Sequence, residues 1–294
     1  MRVDVRIIAA ALLLAVAAPR SAVAQSAADG PVLGARHAES SAGIKIWMPG
    51  GRMRLVAWDR DSILIRGRVA SDENFFFGGG SAGMKLGFEP RDSQEVAGRS
   101  TLVVYLPRQA RVSVKSINAN VDAANVSGWF YSVSGSMHLG GSASSVEVET
   151  MTGSLDLDLT TPWLRARTGD GHLLLRGAPE DVDVSTVAGT LDIATTAVRR
   201  GQFGSVSGDI HYVGAPARGA IMEFSNHSGN VELQLPQGAS GVFSLTSITG
   251  PIENALNSVR PASSQPHSMR LTLGAGNSQI TVRTFRGAIR LRPQ

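Results

Sequence analysis

Cysteine is absent from the 294-residue chain. No disulfide can staple the fold and no thiolate can hold a metal, so stability must come from packing and backbone hydrogen bonds. Aromatic residues are scarce, at 5%. Four tryptophans (Trp47, Trp58, Trp129, Trp163) and three tyrosines (Tyr105, Tyr131, Tyr212) are scattered along the chain, so no platform for stacking sugar rings is expected. Apolar spacing at i, i+3, i+4 is not sustained beyond the N-terminus, which argues against helices. Charge of one sign is also lacking: 28 Lys and Arg face 24 Asp and Glu, a net +4. Nucleic acid, which needs a concentrated basic face, is therefore not an expected partner.

Long apolar runs are missing as well. The longest, Ile7 to Ala18, has 12 residues and falls short of the roughly 20 that a spanning helix needs. It follows Arg2 and Arg6 and precedes Ala22-Val23-Ala24, an A-x-A cleavage pattern. Residues 1–24 are thus expected to be a cleaved signal peptide, with the mature chain starting at Gln25. That leader holds Arg2, Arg6 and Arg20 against Asp4, so the mature chain carries +2. The expected location is periplasmic, cell-surface or secreted, with no transmembrane span in the mature chain. Residues 25–40, rich in Ala, Ser and Gly, are expected to be flexible.

What is present is a ruler of glycines: Gly135, Gly153, Gly171, Gly189, Gly208, Gly229 and Gly250, at intervals of 18, 18, 18, 19, 21 and 21 residues. A further copy centres on Gly287, and an early one has Ala119 in place of glycine. A fixed period with a fixed local pattern marks a repeat architecture. Positions two and four after each glycine are apolar with a polar residue between, as in Gly153-Ser-Leu-Asp-Leu157, which is the alternation of a half-buried strand. Position five before it is apolar too (Phe130, Val148, Ala166, Val184, Phe203, Phe224, Leu245). Each repeat therefore reads as two short strands flanking a tight bend, with glycine supplying an unusual backbone geometry. Three before the glycine stand Ser132, Thr150, Thr168, Thr186, Ser205, Asn226 and Ser247, either a hydrogen-bonded side-chain ladder along the stack or simply good turn residues.

An 18-residue coil suits one turn of a narrow all-β solenoid, whereas propeller blades need about 40–50 residues. Residues 41–294 are expected to form one solenoid domain. Its strands begin irregularly at Ile44–Trp47, Met53–Trp58 and Ser62–Arg66. An irregular insertion at 70–98 carries Phe75-Phe76-Phe77 and Gly78-Gly79-Gly80, followed by a strand from Met84 to Phe88. Thr101–Leu106 is a further strand. Regular coils run from about 112 to 254, a Pro/Ser-rich loop covers 257–268, and terminal strands reach Leu291.

Two candidate sites emerge. Three after each glycine, the outward column reads His138, Asp156, Leu174, Asp192, His211, Glu232, Glu253; a histidine between carboxylates suits acid–base chemistry. The same column also suits plain stacking of mixed charges. Phe75, Phe76 and Phe77 would either cap the open end of the core or form a binding loop. Arg283, Arg286, Arg290 and Arg292 make a basic end, read as a solvated edge. Thr168-Gly-Asp-Gly171 is a single calcium-like match where several copies are needed. No metalloprotease, P-loop, serine-hydrolase or dinucleotide motif occurs, so no catalytic residue, cofactor or metal is expected.

The repeated Ser/Thr-x-Ser/Thr-Gly-x-Ile/Leu-x-Ile/Leu core resembles a family of bacterial envelope proteins known as putative adhesins, domain of unknown function 4097. Val56-Ala-Trp-Asp-Arg-Asp-Ser-Ile-Leu-Ile-Arg-Gly67 is similar to the family's opening strand pair. Leu102-Val-Val-Tyr-Leu-Pro107, running into Val112-Ser-Val-Lys-Ser116, is similar to its lead into the coils. The resemblance covers about residue 40 to the C-terminus. It implies a right-handed β-solenoid at or beyond the cell membrane and brings no catalytic residues. The expected function is a non-enzymatic structural or adhesin-like module binding an envelope polymer or protein. The alternatives are a glycan-active enzyme using the acidic/His column and an extracytoplasmic envelope-stress sensor.

Overall fold

The computed structural model describes residues 30–91, 99–256 and 263–294. The expected leader lies outside the described residues, as do 25–29, 92–98 and 257–262. Every regular element among the described residues is a strand. The strands form two rows that face each other across one apolar core. Alternation builds them: in Gly43–Met48 the buried side chains are Ile44, Ile46 and Met48, and in Val231–Leu235 they are Val231, Leu233 and Leu235.

Within each row, equivalent strands of successive coils pair in parallel with no slip. In one row Arg111–Ser116, Ser127–Ser132 and Val146–Thr150 align residue for residue. In the other, Asn120–Ala124, Met137–Ser142 and the first half of Leu155–Thr168 do the same. Leu155–Thr168 and Leu173–Thr186 pass through both rows as single strands, where two short ones were expected.

The glycine column has a different cause from the one expected. None of the ruler glycines has a positive φ. Instead, each lies against the backbone of the coil before it in the stack. A Cβ on Gly189 would stand 1.7 Å from the Gly171 carbonyl oxygen, and one on Gly208 would stand 1.8 Å from that of Gly189. Only hydrogen fits there. Ala119 is tolerated because it starts the series: its coil rests on the Pro49 turn, whose carbonyl accepts from the Ile117 and Asn118 N–H groups.

The Ser/Thr/Asn column is buried and serves the turn itself. The N–H of Gly135 donates to Ser132 Oγ at 2.9 Å, and Gly153, Gly189, Gly208, Gly229 and Gly250 repeat this with Thr150, Thr186, Ser205, Asn226 and Ser247. Along the stack the same side chains donate to carbonyls of the neighbouring coil, as Asn226 Nδ2 does to Gly208 O at 2.8 Å. The column is thus a side-chain-to-backbone ladder.

Stacking does not follow chain order at either end. The last coil, Gln279–Thr284 and Ile289–Pro293, inserts between the coil at 221–235 and the coil at 241–254. Gly287 accordingly packs on Gly229, and Gly250 packs on Gly287. At the other end, Gly43–Met48 and Arg52–Trp58 pair with the coil at 111–124, and the chain between them and that coil builds a cover. This cover departs from the irregular insertion expected at 70–98. Glu73–Gly80 and Gly83–Pro90 form an antiparallel hairpin, because Phe75, Phe77 and Phe88 supply a packing face. Nor is 25–40 wholly flexible: Val32–His37 pairs antiparallel with Ser62–Arg68 and ends the second row. Part of the expected 257–268 loop is strand, since Ser263–Gln265 and Ser268–Leu273 pair antiparallel and close the far end. Antiparallel strands thus close both ends of the first row and the near end of the second, while at the far end of the second row Ile252–Asn254 pairs in parallel with Ile289–Pro293 alone among the described residues.

Gly189→Ala should cost about 3 kcal/mol or more, because backbone must move to admit the methyl group. Gly80→Ala, with nothing within 4 Å of the added carbon, should be nearly neutral. Urea midpoints of the two variants would test this, and equal midpoints would sink the contact argument.

Tyr212 provides a pH probe of the same core. Its ring lies 6.4 Å from Phe203 and 5.5 Å from Phe224 between centroids. Burial pushes its hydroxyl up to about 12, and the neighbouring Thr195 hydroxyl offsets only part of that. The unfolded chain ionises tyrosine near ~10. The stabilisation is therefore complete below about pH 10 and is lost as pH rises towards 12. At about pH 11 the wild type should have lost on the order of 1 kcal/mol relative to Tyr212→Phe, compared with the difference at neutral pH. Parallel pH curves for the two proteins would refute it.

Candidate functional site

The acidic/His column stacks as a charge ladder. In register it runs Arg54, Asp122, His138, Asp156, Leu174, Asp192, His211, Glu232, Arg290, Glu253. Interleaving of the last coil puts Arg290 between Glu232 and Glu253, which were expected to be neighbours. His138 Nδ1 lies 3.3 Å from Asp156 Oδ2, and Arg176 Nη2 takes the other oxygen at 2.6 Å. His138 and Asp156 border an open depression of about 490 Å³ that also includes Asp122 and His172. Asp192 pairs with His172, not with His211. Glu232 accepts from Gln234 at 2.8 Å and meets Arg292 at 3.4 Å. His211 sits between Asp192 and Glu232 in register, yet both carboxylates are engaged elsewhere. Asp156, Asp192, Glu232 and Glu253 are each engaged by an arginine, histidine or glutamine side chain, an arrangement suited to strand cohesion, while Asp122 lies between Arg54 and His138 in register.

The basic end is likewise consumed internally. Arg283 bridges Glu223 at 2.6 Å, Arg290 bridges Glu253 at 3.2 Å, and the Arg286 guanidinium lies over the Phe285 ring. These arginines belong to an interleaved coil, which is why they do not form an exposed edge.

A second face was not foreseen. The chain has three lysines, Lys45, Lys85 and Lys115, and every other cationic side chain is arginine or histidine. All three lysines point outward from the first row near the hairpin end. One line across the strands reads Lys85, Lys45, Ser113, Trp129. The adjacent line reads Gly87, Trp47, Lys115, Tyr131, with Phe76 opposite Gly87. Lys115 Nζ lies 5.5 Å from the centre of the Trp129 ring, a cation–π contact, and Trp129 stacks with Tyr131 at 5.8 Å. Phe76, Trp47, Trp129 and Tyr131 are half-buried, and the lysines are exposed. Two adjoining depressions of about 570 and 480 Å³ share Lys45, Lys85 and Phe76. Gly87 lets the hairpin approach Gly43–Met48 closely, since a Cβ there would stand 2.0 Å from the Trp47 carbonyl oxygen.

The three phenylalanines divide between roles by strand alternation. Phe75 packs at 5.6 Å on Phe88, and Phe77 packs on the core beneath Arg36. Phe76 turns to the outer face. The aromatic platform that scattered tryptophans seemed to exclude thus exists at one end. Its signal in the sequence is faint: Lys45, Trp47, Lys85, Lys115, Trp129 and Tyr131 all occupy outward positions of alternating strands, but only the stacking order brings them together.

Parallel coils closed by antiparallel strands, with no helix among the described residues, define an all-β repeat protein. The chain belongs to the Toastrack DUF4097 family, whose family model matches residues 61–292. No curated protein matches it. Among solved structures it is similar to a "putative adhesin" from Bacteroides fragilis, at 11% identity and a TM-score of 0.44, covering 87% of this chain and 95% of that one. It is also similar to a "putative cell adhesion protein" from Clostridium sporogenes, at 7% identity and a TM-score of 0.26, covering 89% and 98%.

Arg290→Glu would set three carboxylates in register on adjacent strands. It should lower stability by about 1–2 kcal/mol, with much of the loss recovered at high salt. Thermal melts at two ionic strengths would measure this; a salt-independent loss would mean that the ladder is not electrostatic.

Proposed function

We propose that the chain is an exported, non-enzymatic binding module of the bacterial cell envelope that holds a polymer or protein partner on its lysine–aromatic face. The observation that carries this reading is the division of cations. Every ion pair to a carboxylate among the described residues uses arginine or histidine. The three lysines have no carboxylate partner there and gather with aromatic rings on one outer face. Exposed ammonium groups without a carboxylate partner, beside half-buried rings, suit an anionic partner. The leader-like residues 1–24 support export. Parallel register in both rows supports a β-solenoid. Its right hand follows from the rule that parallel strand-to-strand connections wind right-handed.

An enzyme acting through the acidic/His column fits less well, because Asp156, Asp192, Glu232 and Glu253 are each held by a neighbouring side chain. Crosslinking of the native protein in whole envelopes, followed by identification of what it holds, would test the binding reading. The triple variant K45Q/K85Q/K115Q should keep its melting temperature and lose that capture. Capture by the triple variant equal to that of wild type would remove this face from consideration.

A further inference from the structure

Resting on the reading of this face as the binding surface, we infer that its ligand is an acidic glycan, a polysaccharide bearing carboxylate or phosphate groups. The strands that carry the three lysines, Gly43–Met48, Gly83–Pro90 and Arg111–Ser116, are each paired on both sides, so their backbone groups are already bonded to neighbouring strands. A peptide added as a β-strand would have to pair with Glu73–Gly80 at the end of the row, where it meets Phe76 but runs beside the lysines and not across them. Recognition must come from side chains, and these fall in two lines across strands about 4.8 Å apart. An extended polymer running along the stack meets Lys85 and Lys45 in one line and Trp47 and Lys115 in the other.

The chemistry of the two lines is complementary to a charged sugar chain. Aromatic faces pack against the C–H faces of sugar rings, and ammonium groups hold anions as mobile, strongly hydrated point charges. Ser113, between Lys45 and Trp129, offers a hydroxyl that both donates and accepts. Beyond the rings the face changes sign: Glu147 is beside Trp129 and Glu149 is beside Tyr131. That change of sign limits the cationic stretch to the three lysines. Single-stranded nucleic acid, which also uses rings and cations, is the competing occupant that the oligo(dT) arm of the test addresses. A lipid surface is disfavoured because the rings are recessed in open depressions, where membrane anchors protrude.

The test uses the purified full chain, with titration calorimetry against polygalacturonate, its neutral methyl ester, a phosphomannan, oligo(dT) and phosphatidylglycerol vesicles. Binding is expected to polygalacturonate or phosphomannan, which tells carboxylate from phosphate, and not to the methyl ester. Added salt should weaken it, and K45Q/K85Q/K115Q should reduce affinity by about tenfold or more with an unchanged melting temperature. Trp129→Ala should give a comparable loss if it melts as wild type does. Equal binding of the methyl ester, or preferential binding of oligo(dT) or vesicles, overturns the inference. If neither acidic glycan binds while the triple lysine variant still loses envelope capture, the ligand class is wrong and the binding face stands. If the variant captures as wild type does, the face itself is wrong.

Discussion

Contact between the backbones of successive turns is the constraint on which this molecule depends. At each bend a glycine Cα lies against the carbonyl of the bend before it, with room for hydrogen only. The N–H of that glycine is held by a buried hydroxyl or amide three residues earlier. Together they fix both the height of one coil above the next and the angle at which the chain turns back. Once height and angle are set, strand register follows without further specification. A slip of one residue would bring a Cβ against a carbonyl and turn an apolar row outward. The absence of cysteine is then no handicap, because the turn contact is repeated at every coil.

Register has an electrostatic consequence. Stacking puts identical positions side by side, so a column of one charge would repel itself along its whole length. The chain alternates instead: acids meet histidine, a neutral leucine or arginine. Interleaving the final coil extends this logic. Without it Glu232 and Glu253 would be adjacent; with it Arg290 lies between them and Arg292 reaches Glu232. Long-range closure by the last coil also places Ile289 and Leu291 in the core with a coil on either side. The coil at 241–254 therefore needs the last coil beneath it.

Most of the regular stack could be read from the residues. Period, alternation, apolar columns and even the outlying strands Arg52–Trp58, Ser62–Arg68 and Thr101–Pro107 follow from local pattern. Three things did not. The glycine requirement was read as backbone conformation, because a sequence does not reveal what lies across from a residue. Gly287 was visible as one more copy, but nothing local says between which coils it docks. The Phe-Gly tract read as irregular because its alternation was masked by three rings followed by three glycines; pairing with Gly83–Pro90 makes it a hairpin. In each case the missing information was which backbone neighbours which.

The same gap explains why the lysine–aromatic face was missed and why it sits where it does. Further along the regular stack many outward positions pair with one another, as Arg165 does with Glu147 and Asp183, and Arg176 with Asp156. Arginine suits that task, since its planar fork grips carboxylates in fixed geometry. Near the hairpin end the neighbours come from different parts of the chain: Gly43–Met48 lies between Gly83–Pro90 and Arg111–Ser116. Their outward residues are not copies of one another and need not balance. That freedom lets lysine and aromatic residues gather. A stack built on repetition thus confines individuality to the places where chain order and stacking order part. The face at this end is one of those places, and the interleaved coil, spent on closing the charge ladder, is the other.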